Sequence, residues 1–113
     1  MDSASLHIEV SRQADWTVVK VDGEIDLATV EQLESAVDQA LRSGATQLVI
    51  DLTGVTFLDS TGLRALLQTH GRMSDLGGSL ALVLNGGPVE RLLDIAGVAG
   101  TFAVYPSLEA VTN

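Results

Sequence analysis

Apolar residues along this chain follow two rhythms that alternate. Leu6, Ile8 and Val10 alternate with His7 and Glu9, the period of two that marks a half-exposed strand. After a break at Gln13-Ala14-Asp15 a second strand runs from Trp16 to about Val21, and the two are expected to pair as a hairpin. Trp16 reads as a packing residue and His7 as a solvated one. Gly23-Glu24-Ile25-Asp26 closes the second strand. The rhythm then lengthens: Val30, Leu33, Val37 and Leu41 recur every three to four residues, one face of a helix. Thr29 and Gln32 are spaced for a capping box, Asp26 offers another start, and Arg42 and Gly44 supply a last-turn cation and a stop. Glu31, Glu34, Ser35 and Asp38 form its polar outer face.

Gln47 to Leu52 reads as a central strand, since Val49, Ile50 and Leu52 make an apolar run suited to cover on both faces before Thr53-Gly54 breaks it. Asp59, Ser60 and Thr61 all favour helix starts, and Leu63, Leu66 and Leu67 follow at one-face spacing, so a helix is predicted from there to about Asp75. His70 falls four residues after Leu66 and is expected to be packed or partly buried. A strand from Ser79 to Leu84 follows, then the turn Asn85-Gly86-Gly87-Pro88 and a helix with Val89, Leu92 and Leu93 inward. Phe102 to Tyr105 makes a last strand, and Ser107 can cap a final helical turn through Val111. The order β, β, α, β, α, β, α, β, α predicts an α/β fold. Its sheet should be mixed and mostly parallel, about five strands with an antiparallel first hairpin and about four helices.

At 113 residues the chain is expected to be one domain spanning 1–113, with residues 1–4 as a candidate disordered end. Cysteine is absent, which excludes a thiol nucleophile and disulfides, and two histidines are too few for a typical zinc site. With no long apolar span or leader in view, the expectation is a cytoplasmic protein without a membrane partner. Six Lys and Arg against fifteen Asp and Glu give a formal charge of −9, which repels nucleic acid and steers a basic partner surface inward.

In a parallel sheet the strand-to-helix loops emerge at one edge, where functional residues of open α/β sheets gather. The loops Gly23 to Asp26, Thr53 to Thr61 and Asn85 to Pro88 should therefore be neighbours, presenting Asp26, Asp59, Ser60, Thr61 and Asn85. An Asp-Ser-Thr cluster before a helix is ordinarily a cap and nothing more. A hydroxyl there, however, lies beside unpaired backbone N–H groups and the positive end of the helix dipole, where a phosphate is well tolerated. Enzymatic chemistry is poorly served: His70 should lie about 15 Å down the helix from Ser60. Two carboxylates make a weak cation site, and Asn85-Gly86-Gly87 is not a phosphate-binding loop. No cofactor or metal is expected. What remains is a surface serine whose phosphorylation, adding roughly −1.5 to −2 charges, switches docking without catalysis.

Val21-Asp-Gly-Glu-Ile-Asp-Leu-Ala-Thr29, Leu48 to Thr53, Val55-Thr-Phe-Leu-Asp-Ser-Thr-Gly-Leu63 and Leu92-Leu-Asp-Ile-Ala-Gly97 with the Phe102 to Tyr105 strand resemble the STAS domains, and within them the bacterial anti-sigma factor antagonists. The resemblance covers nearly the whole chain. It implies partner switching: the unmodified protein binds an anti-sigma factor, usually an ATP-dependent serine/threonine kinase, and frees a sigma factor. Phosphorylation of the serine after the motif aspartate, here Ser60 with Thr61 as a second candidate, releases it, and a PP2C-type phosphatase restores it. Asp26, Asp59, Gly62, Arg64 and Asn85 are the further residues expected to meet the partner, with the chain a monomer or weak dimer. Arg64 departs from the pattern, since many antagonists carry a small residue there; it can select an acidic partner group or pair with a phosphate on Ser60. The alternative implied is a constitutive STAS adaptor within a larger assembly, such as a lipid-transport ATPase complex or a stress-signalling scaffold.

Overall fold

The computed structural model describes residues 6–113, so the expectation of disorder at residues 1–4 lies outside the described residues. Strands β1 (Leu6–Gln13) and β2 (Trp16–Ile25) form the expected hairpin, with Gln13 opposite Trp16. Ala14 turns the chain at φ 54, a left-handed conformation that a residue with a Cβ adopts only at some cost. Helix α1 (Val30–Arg42) then crosses to β3 (Gln47–Leu58), α2 (Ser60–Asp75) to β4 (Ser79–Val83), and α3 (Gly87–Ala96) with a 3-10 turn (Ala99–Thr101) to β5 (Ala103–Tyr105). A short α4 (Leu108–Thr112) ends the chain. The sheet order is β1-β2-β3-β4-β5, antiparallel for the first pair and parallel for the rest. The α/β architecture is the one the pattern predicts.

Burial follows the helical and strand periods. Val30, Leu33, Val37 and Ala40 of α1, Ala65, Leu66 and Met73 of α2, and Val89 and Leu93 of α3 pack in one cluster with Val19, Val21, Leu48, Ile50 and Leu82 of the sheet. Each fully buried aliphatic side chain of this set contributes roughly 1.5–3 kcal/mol relative to exposure. The opposite face buries less: Val18, Val49, Ala81 and Val83, with Trp16, Tyr105, Leu108 and Val111 packed against them. Trp16 is thus a packing residue, and α4 covers the second face. Ser107 caps α4 as expected, accepting from the Ala110 N–H at 3.2 Å.

Two strand ends differ from the sequence expectation. β2 continues through Gly23 and Glu24 to Ile25 instead of stopping near Val21, and β3 continues through Thr53-Gly54 to Leu58. The cause is a pair of irregularities. The β2–β3 register slips between Lys20 and Asp22 and again between Gly23 and Glu24, so the buried residues of the β3 extension, Leu52, Val55 and Leu58, fall at intervals of three instead of two. Gly54 marks a close approach of the two strands and not a strand end: a Cβ there would sit 1.7 Å from Asp22 Oδ1 and 3.3 Å from the Val21 carbonyl oxygen.

Candidate functional site

Ser60 stands at the first position of α2, exposed to solvent. Three residues in a row could cap this helix, and backbone geometry selects Asp59, which is extended at φ −102 and ψ −170. Its Oδ1 accepts the N–H of Thr61 at 2.9 Å and that of Gly62 at 3.2 Å, and the Thr61 hydroxyl donates to the same oxygen. The Leu63 N–H bonds back to the Asp59 carbonyl at 3.0 Å. Two consequences follow. The Ser60 hydroxyl makes no hydrogen bond among the described residues, whereas the Thr61 hydroxyl is committed to the cap. The expectation of unpaired N–H groups beside Ser60 is corrected, because the Asp59 carboxylate already holds those of Thr61 and Gly62.

This use of Asp59 shows in its acidity. The Thr61 hydroxyl, above all, holds its carboxyl below the ordinary value of 3.8; burial opposes it as the next-largest influence, and the N–H groups of Gly62, Thr61 and Leu27 add to the lowering. A carboxyl whose folded value is depressed contributes stability that is fully present above its unfolded value and is lost as pH falls through the folded one. Asp59→Ala is expected to lower stability by about 1 kcal/mol at neutral pH, with Asp59→Asn losing less. In urea melts across pH the gap between wild type and Asp59→Ala should be constant above about pH 5 and narrow below about pH 4. A gap independent of pH would show that the charge contributes nothing.

The loop from β2 to α1 lies against this cap. Ile25 pairs with Leu58 across the sheet, and the Asp59 N–H donates to the Ile25 carbonyl at 3.2 Å. Asp26 builds this loop as Asp59 builds its own: its Oδ1 accepts the N–H of Ala28 at 2.9 Å and of Thr29 at 3.1 Å. The predicted capping box from Thr29 to Gln32 is not formed. Thr29 is buried and its hydroxyl points back, accepting from the Asp26 N–H at 3.0 Å and donating to the Glu24 carbonyl at 2.7 Å. Asp26 and the Asp59 to Gly62 turn are therefore brought together as expected.

Gly62 is buried. A Cβ on it would lie 2.3 Å from Leu58 Cδ1 and 2.8 Å from Ile25 Cγ2, so its smallness seats the first turn of α2 on the ends of β2 and β3. Arg64 is exposed one turn beyond Ser60 on the same side of the helix and forms no ion pair among the described residues, whereas Arg72, further along, pairs with Asp38 of α1. Asn85 lies in the loop after β4, a strand that ends earlier along the sheet than β3 does. β4 ends with Val83 opposite Asp51, and β3 runs on from Leu52 to Leu58, about 20 Å of strand at roughly 3.3 Å per residue. The parallel loops share an edge, and the longer β3 sets the Asp59 cap further along it than the end of β4. His70 is half-buried edge-on to Phe102, with ring centroids 5.7 Å apart.

Sequence reasoning missed two apolar neighbours of the cap. Leu27, at the tip of the β2–α1 loop, is 76% exposed, and Phe57, two residues before Asp59, is 46% exposed. Leu27 falls three residues before Val30, in step with the α1 stripe, so spacing gave no sign of its exposure; Phe57 lay in what read as a loop. Among the described residues no three His, Cys, Asp or Glu side chains come together as metal ligands, and no helix is long and apolar enough to cross a membrane. A cleft of about 480 Å³ lies between β1 and the end of α1, lined by Val10, Arg12, Gln39 and Thr46 among others, and none of the candidate residues borders it. The site is a surface, built from two aspartate-locked turns around one free hydroxyl.

Comparison with known proteins places this surface in context. The family model described as STAS domain matches residues 7–111. The anti-sigma-F factor antagonist RsfB of Mycobacterium tuberculosis is 32% identical over 110 residues, covering 96% of this chain and 89% of its own. The crystal structure of an anti-sigma factor antagonist from Mycobacterium paratuberculosis superposes with a TM-score of 0.86 at 34% identity, over 94% of this chain and 90% of that one. The Bacillus cell fate determinant SpoIIAA in its phosphorylated form shares the fold, with a TM-score of 0.70 at 22% identity over 93% and 96% of the two chains. The chain belongs to the STAS domain family.

Proposed function

We propose that this protein is an anti-sigma factor antagonist that works by partner switching. Its unmodified form binds an anti-sigma factor serine kinase through the start of α2 and the adjoining β2–α1 loop, which frees a sigma factor. Phosphorylation of Ser60 ends that binding, and a PP2C-type phosphatase restores it. The observation that carries this reading is the division of labour at the cap: Asp59 stabilises the helix start, so the exposed Ser60 hydroxyl beside it has no structural task. A kinase can take such a hydroxyl without unfolding anything, and an added phosphate changes only the surface. The names of the relatives support the same reading. The acidic balance of the chain suits a partner with a basic docking face, and Leu27 and Phe57 supply apolar contact area beside the hydroxyl.

The test is direct. Incubated with the anti-sigma kinase of its own organism and ATP, the chain is expected to gain the mass of one phosphate, peptide mapping should place it on Ser60, and Ser60→Ala should stay unmodified. Modification that persists in Ser60→Ala, or none with a kinase shown to be active, overturns the reading.

A further inference from the structure

The cap geometry leaves a phosphate on Ser60 short of partners. At an uncommitted helix start such a group would accept hydrogen bonds from free N–H groups of the first turn. Here the N–H groups of Thr61 and Gly62 are already bonded to the Asp59 carboxylate, and that of Leu63 to the Asp59 carbonyl. Only the Ser60 N–H itself remains in that turn. The acidic side chains of the two segments around it, Glu24, Asp26 and Asp59, add repulsion. A dianion placed here needs a cation. Arg64 lies four residues on, on the same side of α2, where Cβ atoms are separated by about 5–6 Å and a long side chain spans the gap easily. It is exposed and in no ion pair among the described residues, while the other arginine of α2, Arg72, is held by Asp38.

We infer that Arg64 is the intramolecular partner of a phosphate on Ser60, pairing with it across one helical turn. The inference rests on the phosphorylation reading above and names what that reading leaves open, the group that receives the charge. The planar guanidinium suits this task, because its fork of donors can meet two phosphate oxygens at once. The pair has a consequence for switching. In the unmodified chain Arg64 is available to an acidic group of a docked partner; in the modified chain it is turned to the phosphate. Phosphorylation then withdraws an attractive contact as well as adding a repulsive one.

Phosphoserine installed at position 60 during synthesis, with no kinase involved, permits the test. The midpoint of the phosphate's second ionisation, near pH 6 for free phosphoserine, is followed by ³¹P NMR in the wild-type background and in Arg64→Gln, Arg64→Lys and Arg72→Gln. Arg64→Gln is expected to raise the midpoint by about 0.2–0.7 pH unit at low salt, with the difference shrinking at about 1 M salt. Arg64→Lys should recover part of it, and Arg72→Gln should leave it unmoved. Equal midpoints in wild type and Arg64→Gln, or an equal shift in Arg72→Gln, overturn the pairing. These outcomes are independent of the kinase assay: a chain that no kinase modifies loses the functional reading with this titration intact, and a flat titration removes the pairing while leaving a phosphorylated Ser60 in place.

Discussion

Ser60→Asp is expected to weaken binding to the cognate anti-sigma kinase by about a hundredfold or more, equivalent to roughly 2.7 kcal/mol or more, while Ser60→Ala keeps the wild-type affinity within a few-fold. The asymmetry follows from what surrounds the hydroxyl. In the proposed complex, docking would cover a small polar group that forms no hydrogen bond within the described chain, so its removal should cost little. A carboxylate at the same point must be desolvated beside Asp59 and Asp26, whose own charges are already committed to backbone N–H groups. Folding should not suffer, because an acidic side chain in the first turn of a helix is favourable by a few tenths of a kcal/mol. Titration calorimetry paired with a thermal melt of the free protein separates the two effects. A Ser60→Asp variant that melts like wild type and binds as tightly would remove the basis for the switch.

The second large effect concerns the seat of α2. Gly62→Val is expected to destabilise the protein by about 2–3 kcal/mol, because its side chain must enter space held by Leu58 and Ile25, both buried. Gly71 supplies the matched control on the same helix: nothing lies within 4 Å of a Cβ added there. Glycine and valine differ only by a few tenths of a kcal/mol in helix propensity, so Gly71→Val should shift stability by less than about 0.5 kcal/mol. Urea denaturation midpoints report both. Equal losses at the two positions would mean that glycine matters at Gly62 for backbone reasons alone, and that the close seating of the helix start does not depend on it.

Much of the fold was legible because its helices keep one period throughout. The stripe Val30, Leu33 and Val37 and the buried Leu66 fall where spacing puts them, Pro88 opens α3, and Ser107 caps α4. The strand ends were not legible, because two register slips move the buried residues of the β3 extension to a spacing of three, which matches neither a strand nor a full helix face. Strand length was not legible either: β3 carries the Asp59 cap well past the end of β4, which a topology diagram with strands of equal length cannot show. At the cap itself the residues were readable and their roles were not. Asp59, Ser60 and Thr61 can each open a helix, and only the extended backbone at Asp59 decides which one does and leaves Ser60 free. The same ambiguity hid the role of Thr29, whose spacing to Gln32 fits a capping box but whose hydroxyl binds the loop behind it.

Displacement tests the proposed mechanism most directly. The chain is titrated into a preformed complex of the cognate anti-sigma factor with its sigma factor, once unmodified and once carrying phosphoserine at position 60, and free sigma factor is measured. The unmodified chain should release the sigma factor in proportion to its concentration, and the phosphorylated chain should release almost none. Equal release by both forms, or none by the unmodified one, would contradict a switch seated at Ser60.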